Sequence, residues 1–529
     1  MNRRDFIRNG TGVAGAAMIA PAIQSYLPAD PNNRFYSKYS HKLPHTDHHY
    51  KRTCGYVEEV PVPEYNWAPD SVYEDFQDIK FGIRLHWGLY SIYRLNGESW
   101  PYLKMTPAEK QTYQEVYKSW YPAGFDADEW VNFFRDSGAK MFSFTTKHHD
   151  GFSMFDTKAR VKKRVNWLAS GGPAIEDCDL AYSIMETPFK RDIVKELTEA
   201  AHKTGIKVDL YFSHPDWYDS DFRPYNYHPL QVPDSATIAV VGCDKTPEIE
   251  DQKKYFEKSG VVIKPNPSAE EIKRMMERHR AQLEEIVTNY GKIDMMCLDQ
   301  WLGPDVWPQL RDTILHIRKL RPDIMLRARG IGNYGDYYTP EGFVPGSKEN
   351  SDTPWFVIDA LGSSFSYEAD EAKHKGTSWI IHHLVDAVSK GGNFMAGIGP
   401  DGNGKFHPTA IKQLKETGLW LKHNGEGIYA TRARNADLWK EGNNIRFTRS
   451  KDNKVIYAFA FEWPGEQLVL TTVKPPKKAR INFLGSDQAL EWRYDSAKGL
   501  VISIPASMKE RFAGPLGLCY GLKIQMALV

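Results

Sequence analysis

Cysteine is scarce in this chain: five residues among 529 (Cys54, Cys178, Cys243, Cys297 and Cys519), scattered and without C-x-x-C spacing. That pattern excludes a zinc ribbon and a disulfide framework read from spacing. An excess of charge of either sign is missing too. Lys and Arg number 68 against 67 Asp and Glu, so nothing favours nucleic acid or an anionic surface as partner. No H-E-x-x-H or H-x-H motif is present, and no glycine-rich phosphate turn follows the first apolar run. Tandem repeats and low-complexity tracts are absent. Long hydrophobic runs are absent as well: the best stretch, in "MNRRDFIRNGTGVAGAAMIAPAI", falls short of the ~20 residues a spanning helix needs. Its twin arginine (Arg3, Arg4), followed by Phe6, Ile7 and small residues, reads instead as an export leader over residues 1–30, cleaved near Ala20 or Ala22. Such a leader would carry the folded protein to a bacterial periplasm.

What the chain has in quantity is aromatic side chains: 15 Trp, 28 Tyr and 25 Phe, enough for a large core and for stacking platforms suited to sugars. Residues 31–75 are irregular and rich in Pro and His, and "HKLPHTDHHY" (41–50) reads as a surface arm because its histidines have no metal-ligand spacing. From residue 76 a rhythm begins. The apolar runs "FGIRLHW", "MFSFTTK", "KVDLYFS", "IDMMCLD", "IMLRAR" and "NFMAGIG" alternate with amphipathic helical stretches. Short, nearly continuous apolar strands separated by helices mean parallel strands buried on both faces. Over residues 76–430 this predicts a (β/α)₈-like barrel of the TIM type, irregular between 330 and 377 where helix signals are poor. Residues 431–529 alternate apolar and polar positions between turn signals, which predicts a C-terminal antiparallel β-sandwich.

Active sites of such barrels lie at the C-terminal ends of the strands. Those ends carry His86-Trp87, His148-His149-Asp150, Tyr211 through Trp217, Asp299-Gln300-Trp301 and Arg329. Adjacent residues on a regular strand point to opposite sides, so His148 and His149 could share a metal only if the strand breaks between them. Carboxylate chemistry fits better. Asp299, at the mouth of an otherwise apolar strand, is a candidate nucleophile, or else a solvated residue capping the next helix. Glu341, in the loop after Arg329, is the candidate proton donor. Carboxyls ~5–5.5 Å apart would suit a retaining glycosidase and ~6.5–9.5 Å an inverting one.

In order along the chain, "FGIRLHWGLYSI", "AKMFSFTTKHHDGFSMFDT", "GIKVDLYFSHPDWY", "IDMMCLDQW", "DAVSKGGNFMAGIGPDGNG" and "WLKHNGEGIYATR" resemble the motifs of the α-L-fucosidases of glycoside hydrolase family 29. The resemblance runs from about Phe81 to Arg432. It implies an exo-acting retaining hydrolase that releases terminal α-L-fucose from an oligosaccharide or glycoconjugate, with Asp299 as nucleophile and Glu341 as acid/base. It further implies that His86, His148 and His149 bind sugar hydroxyls, that Glu98 and Trp100 hold the sugar, and that Tyr211, Trp301 and Arg329 line the site, with no metal or cofactor. Glu349 competes with Glu341 for the acid/base role. The chain departs from the family where Arg327 replaces a small polar residue, where Trp355-Phe356 replaces Trp-Glu, and where Gly397 replaces Asn. These departures leave an α-L-galactosidase, or a sugar-binding pseudoenzyme, as alternatives. Arg84, a cation in an apolar strand, has no explanation in the sequence.

Overall fold

The computed structural model describes Thr53 and residues 55–222, 267–345 and 353–527. The leader, the 41–50 arm and Glu349 lie outside the described residues.

Seven parallel strands are laid out as β7-β6-β5-β2-β1-β9-β8: β1 (Phe81–Leu85), β2 (Met141–Lys147), β5 (Lys207–Ser213), β6 (Met295–Asp299), β7 (Met325–Leu326), β8 (Phe356–Ala360) and β9 (Asn393–Ile398). The missing numbers belong to an antiparallel hairpin, β3 (Val161–Asn166) and β4 (Ala174–Leu180), inserted after β2. The gap between β7 and β8 is closed by residues 337–341 acting as an irregular eighth strand. Tyr337 pairs with Arg327, Tyr338 with Trp355 and Glu341 with Ile358, all parallel. The ring is therefore a (β/α)₈-like barrel with one weak stave, on the side where the sequence predicts irregularity.

Helices form the outer ring where apolar residues recur at helical spacing. Ala127–Asp136 buries Trp130, Val131, Phe133 and Phe134, and Ile193–Thr204 buries Ile193, Val194, Leu197 and Ala201. Asp126 and Asp192 cap these two helices by accepting from backbone N–H groups at Glu129 and Lys195. Helix Asp70–Ile79 plugs the N-terminal end of the barrel, packing Tyr73, Phe76 and Ile79 on Met141, Met295, Met325, Phe356 and Met395 from the strand starts. With that end sealed by side chains, the open mouth is at the C-terminal end.

Asp336 anchors the weak stave. Its carboxylate accepts from the backbone N–H groups of Ala68 (3.0 Å) and Leu326 (2.7 Å), from the Tyr73 hydroxyl (2.7 Å) and from Arg318, all buried. One side chain thus ties the plug, β7 and the start of the 337–341 segment together.

The C-terminal region is a β-sandwich. A six-stranded antiparallel sheet containing Ile445–Arg449, Val455–Ala460 and Tyr520–Gln525 faces a three-stranded one of Gln467–Leu470, Gly499–Ser503 and Trp492–Asp495. Phe447, Ala458, Leu470, Leu500 and Leu522 fill the space between them. The alternate residues Tyr457 and Phe459 belong instead to the barrel's core cluster, with Trp420 of helix Pro408–Asn424. Gly521 sits in that seam, where a Cβ would stand 2.5 Å from Asn424 Oδ1 and 2.7 Å from Leu484 Cδ1. Cys178, Cys297 and Cys519 are free thiols. Among the described residues, no helix is long and apolar enough to cross a membrane.

Asp336→Ala should strand the buried Arg318 guanidinium without its carboxylate, at a cost of about 3–5 kcal/mol. Thermal melting should register this as a large fall in Tm; a melt within a degree of the parent would refute the anchoring role.

Candidate active site

The strand register places the inward-facing side chains in layers. Tyr211 lies level with Cys297 and Ser213 with Asp299 across β5 and β6, and Arg84 lies level with Ser143 and Gly397 across β1 and its neighbours. Asp299 ends β6 at the mouth. Its Oδ2 accepts from the Tyr211 hydroxyl at 2.6 Å, its Oδ1 from Arg329 Nη1 at 2.9 Å, and Arg327 Nη1 stands 3.6 Å from the same Oδ1. Burial works to raise the pKa of this carboxyl. Arg329 and Arg327, helped by His149 and the Tyr211 hydroxyl, outweigh burial and hold it well below the usual carboxylate range. Asp299 is therefore an ionised, hydrogen-bonded anion in a buried place.

Glu341 leans onto the same pair of guanidiniums, with its Oε1 2.5 Å from Arg329 Nη2 and 3.1 Å from Arg327 Nη2. Its side chain is 38 % exposed, at the rim of the mouth. Partial burial pulls its pKa up, and the two arginines pull it down further, leaving it below the ordinary value. Contact with solvent screens part of that effect. The two carboxylates thus face each other across two shared cations.

At the end of β2 the pairing with β5 shifts register between Thr145 and Lys147. Lys147 turns away and reaches Asp216 and Gln282, both at 3.3 Å. His148 and His149 then lie side by side, ring centroids 4.3 Å apart, both buried. His148 Nδ1 pairs with Ser99 Oγ at 2.5 Å, and its ring stacks on Tyr211. His149 packs edge-on against Trp100 and tilted against Trp217, with its Nε2 3.8 Å from Asp299 Oδ2. Gly151 makes the exit possible: its φ is +81°, and a Cβ would lie 2.2 Å from Asp216 Oδ1. Asp150 accepts from the Tyr113 hydroxyl at 2.6 Å and from the Phe152 N–H at 3.4 Å, so it fixes the turn.

His86 completes the histidine group, with its ring 5.6 Å from His148, 5.5 Å from Tyr211 and 5.2 Å from Phe365. Burial keeps all three imidazoles neutral: His86 and His148 fall well below their usual range and His149 to about 4. Among the described residues, His86 Nδ1 and both nitrogens of His149 find no hydrogen-bond partner. A buried polar atom left so costs about 1–3 kcal/mol, which a ligand bearing hydroxyls would recover. Glu98 is buried opposite, at φ +53°, and accepts from the Ser366 N–H at 2.9 Å; burial pushes its pKa up to about 7. Trp301 is buried in the main core just beyond Asp299, where Gln300 at φ +66° turns the chain.

The structure therefore gathers His86, Trp100, His148, His149, Tyr211, Asp299, Arg329 and Glu341 in one continuous set of contacts. Sequence reasoning missed Ser99 and Phe365 as members and left Arg327 without a role. Arg327 had a signal, because residues 327 and 329 lie two apart in the run "IMLRAR", which read as an extended strand puts them on one face. Ser99 had none, since its contact with His148 spans separate loops. Gly397 is explained by Phe365, whose Cδ1 would lie 2.3 Å from a Cβ there.

A barrel with two ionised carboxylates and unpartnered neutral imidazoles at its mouth is the arrangement of a glycoside hydrolase, and the comparisons agree. The α-L-fucosidase family profile matches residues 63–426 and the α-L-fucosidase C-terminal domain profile residues 440–525. Human plasma α-L-fucosidase is 27 % identical over 466 residues, covering 81 % of this chain and 85 % of that protein. Human tissue α-L-fucosidase is 27 % identical over 459 residues, covering 81 % and 84 %. Among solved structures, α-L-fucosidase isoenzyme 1 from Paenibacillus thiaminolyticus superposes with a TM-score of 0.68 at 22 % identity, over 87 % of this chain and 99 % of that one. A trapped covalent intermediate of a Bacteroides thetaiotaomicron α-L-fucosidase gives 0.67 at 21 % identity, over 89 % and 100 %. This chain belongs to the α-L-fucosidase family.

The neutral histidines carry a pH signature. An unfolded His takes up a proton near pH 6.5, whereas folded His149 resists until about pH 4, so its burial is harmless above 6.5 and destabilises the fold as pH falls from there. In His149→Gln that loss disappears. Scanning calorimetry at pH 7 and pH 4.5 should show the variant gaining on the parent at the lower pH, and a constant difference in Tm would contradict it.

Proposed function

We propose that the protein is an exo-acting retaining α-L-fucosidase in which Asp299 attacks and Glu341 serves as acid and base. The observation that carries the reading is the pair of carboxylates joined through Arg329, with Asp299 the deeper and more strongly held as an anion. A buried anion at the strand end suits attack on an anomeric carbon; a carboxyl at the rim suits the leaving-group oxygen, where aglycone and water come and go. In the first step Glu341, having taken up a proton from solvent against the pull of both arginines, gives it to the departing oxygen while an Asp299 oxygen forms a bond to the anomeric carbon and the glycosidic C–O bond breaks. In the second step Glu341 takes a proton from water as that water's oxygen displaces Asp299. Esterifying Asp299 removes the negative neighbour that raises the Glu341 pKa, which leaves both arginines to favour the ionised form needed for the second step. The intermediate trapped in the Bacteroides relative supports the covalent route.

His86, His148 and His149 offer ring nitrogens to sugar hydroxyls, Trp100 and Glu98 close the opposite side, and Phe365 beside His86 adds an apolar wall. A polar pocket with one apolar wall fits a 6-deoxy sugar, whose methyl group would otherwise be a hydroxymethyl. That favours L-fucosides over L-galactosides. Export by the twin-arginine leader would place the reaction outside the cytoplasm.

Asp299→Gly should lose turnover by a thousandfold or more, on the order seen when a nucleophile is removed. Azide, small enough to fill the gap, should then give fucosyl azide of inverted anomeric configuration. Product retaining the substrate's configuration, or activity surviving intact, would remove Asp299 from its role. In the parent, release rates should favour aryl α-L-fucosides over the matching α-L-galactosides; the reverse order would overturn the sugar assignment.

A further inference from the structure

The interior beneath the site is charged rather than apolar. Arg84, from β1, donates through Nη1 to Ser143 Oγ at 2.8 Å and to Cys297 Sγ at 2.9 Å, with its guanidinium over the Tyr211 ring at 4.5 Å. Arg327 Nη1 donates to the same sulfur at 3.0 Å, its Nε to Thr339 Oγ1 at 2.5 Å, and its Nη2 to Glu341 Oε1 at 3.1 Å. Arg327 is wholly buried. Its contacts have a pattern. Cys297 lies two residues before Asp299 on β6, and Thr339 two residues before Glu341 on the irregular stave, so on each strand Arg327 grips a carboxylate and the side chain one step below it.

We propose that Arg327 is a positioning residue for Glu341, a buried clamp that fixes the weak stave to β6 and sets both the reach and the acidity of the Glu341 carboxyl. The inference rests on the reading of Asp299 and Glu341 given above. Only a planar fork fits, because three separate nitrogens are used toward three acceptors on two strands. A second clamp has a purpose here. The 337–341 segment meets its neighbours through isolated pairings, and Arg329 alone, which also donates to the Thr339 carbonyl at 3.2 Å, would hold it at one height.

The clamp also sets charge. The groups facing Glu341 are Arg327 and Arg329 from the β7 side, Asp299 from β6 and Glu98 from the loop after β1. With both Asp299 and Glu341 ionised, the two arginines are balanced; a proton on Glu341 leaves a buried excess of positive charge. Arg327 therefore opposes the acid form, and removing its charge must move Glu341 protonation to higher pH.

The test is the alkaline limb of kcat/KM, measured with an unactivated fucoside, which needs the protonated acid, and with an activated aryl fucoside, which does not. In Arg327→Gln the limb for the unactivated substrate should rise by about one pH unit, the size expected for losing one adjacent cation. The activated substrate should show no such shift, which separates Glu341 from Glu98, whose titration would affect both. Arg327→Lys keeps the charge and should leave the limb in place while kcat/KM on the unactivated substrate falls about tenfold. An unmoved limb in Arg327→Gln, with activity lowered equally at every pH, would overturn the proposal. If that variant does not fold, Thr339→Val releases one anchor only; a smaller rise of the same limb supports the clamp, and a fixed limb overturns it. Glu341→Gln checks the foundation separately. Equal losses on both substrates would refute the acid assignment itself, whereas a loss confined to the unactivated one, with the Arg327 limb unmoved, would refute the clamp alone.

Discussion

Two guanidiniums held between two carboxylates are the constraint on which the site depends. Like charges in a buried mouth repel, and neither Asp299 nor Glu341 could stay ionised at short range without the cations between them. Arg329 supplies the upper link and Arg327 the lower. Both lie just past the strand that ends at Leu326, so the arginines belong to the segment where the barrel begins to lose its regularity. Charge balance at the mouth and closure of the barrel are therefore one problem, solved by the same few side chains.

The remainder of the pocket works by the opposite device. The imidazoles of His86, His148 and His149 are kept neutral by burial, so each carries one donor and one acceptor nitrogen. Aromatic faces from Trp100, Trp217 and Tyr211 hold these rings in place without competing for their nitrogens. Charge is confined to the side of the two carboxylates, and neutral hydrogen-bonding groups to the side of the three histidines.

Much of this was legible in the chain itself. Every strand from β1 to β9 that carries the barrel, β8 excepted, begins inside an apolar run visible by eye, and the polar residues that end those runs do meet at one mouth. The hairpin at 161–180 was not legible: "VKKRVN" and "AIEDCDL" surround a small apolar cluster of Val165, Trp167 and Ile175 with charged residues such as Arg164 and Glu176, and charged alternation reads as solvent-exposed chain. The eighth stave was hidden because Gly335 stands just before it, Pro340 interrupts it and its pairings are single. Arg84 looked anomalous because an apolar strand implies an apolar interior. Its partners, Ser143 and Cys297, lie on other strands, and only the closed ring brings them to its guanidinium.

The irregular stave has a consequence of its own. Six strands of the barrel are knitted by continuous ladders, with β7 joined to β6 over two residues, and altering a ladder would unravel its neighbours. The eighth is tacked in place at three points and tethered at its root by Asp336. Insertions or deletions in the loops flanking residues 337–341 therefore disturb few hydrogen bonds, while displacing the rim carboxylate relative to the fixed anion below. A scaffold built in this way can move its rim carboxylate without refashioning the histidine-lined chamber beside it.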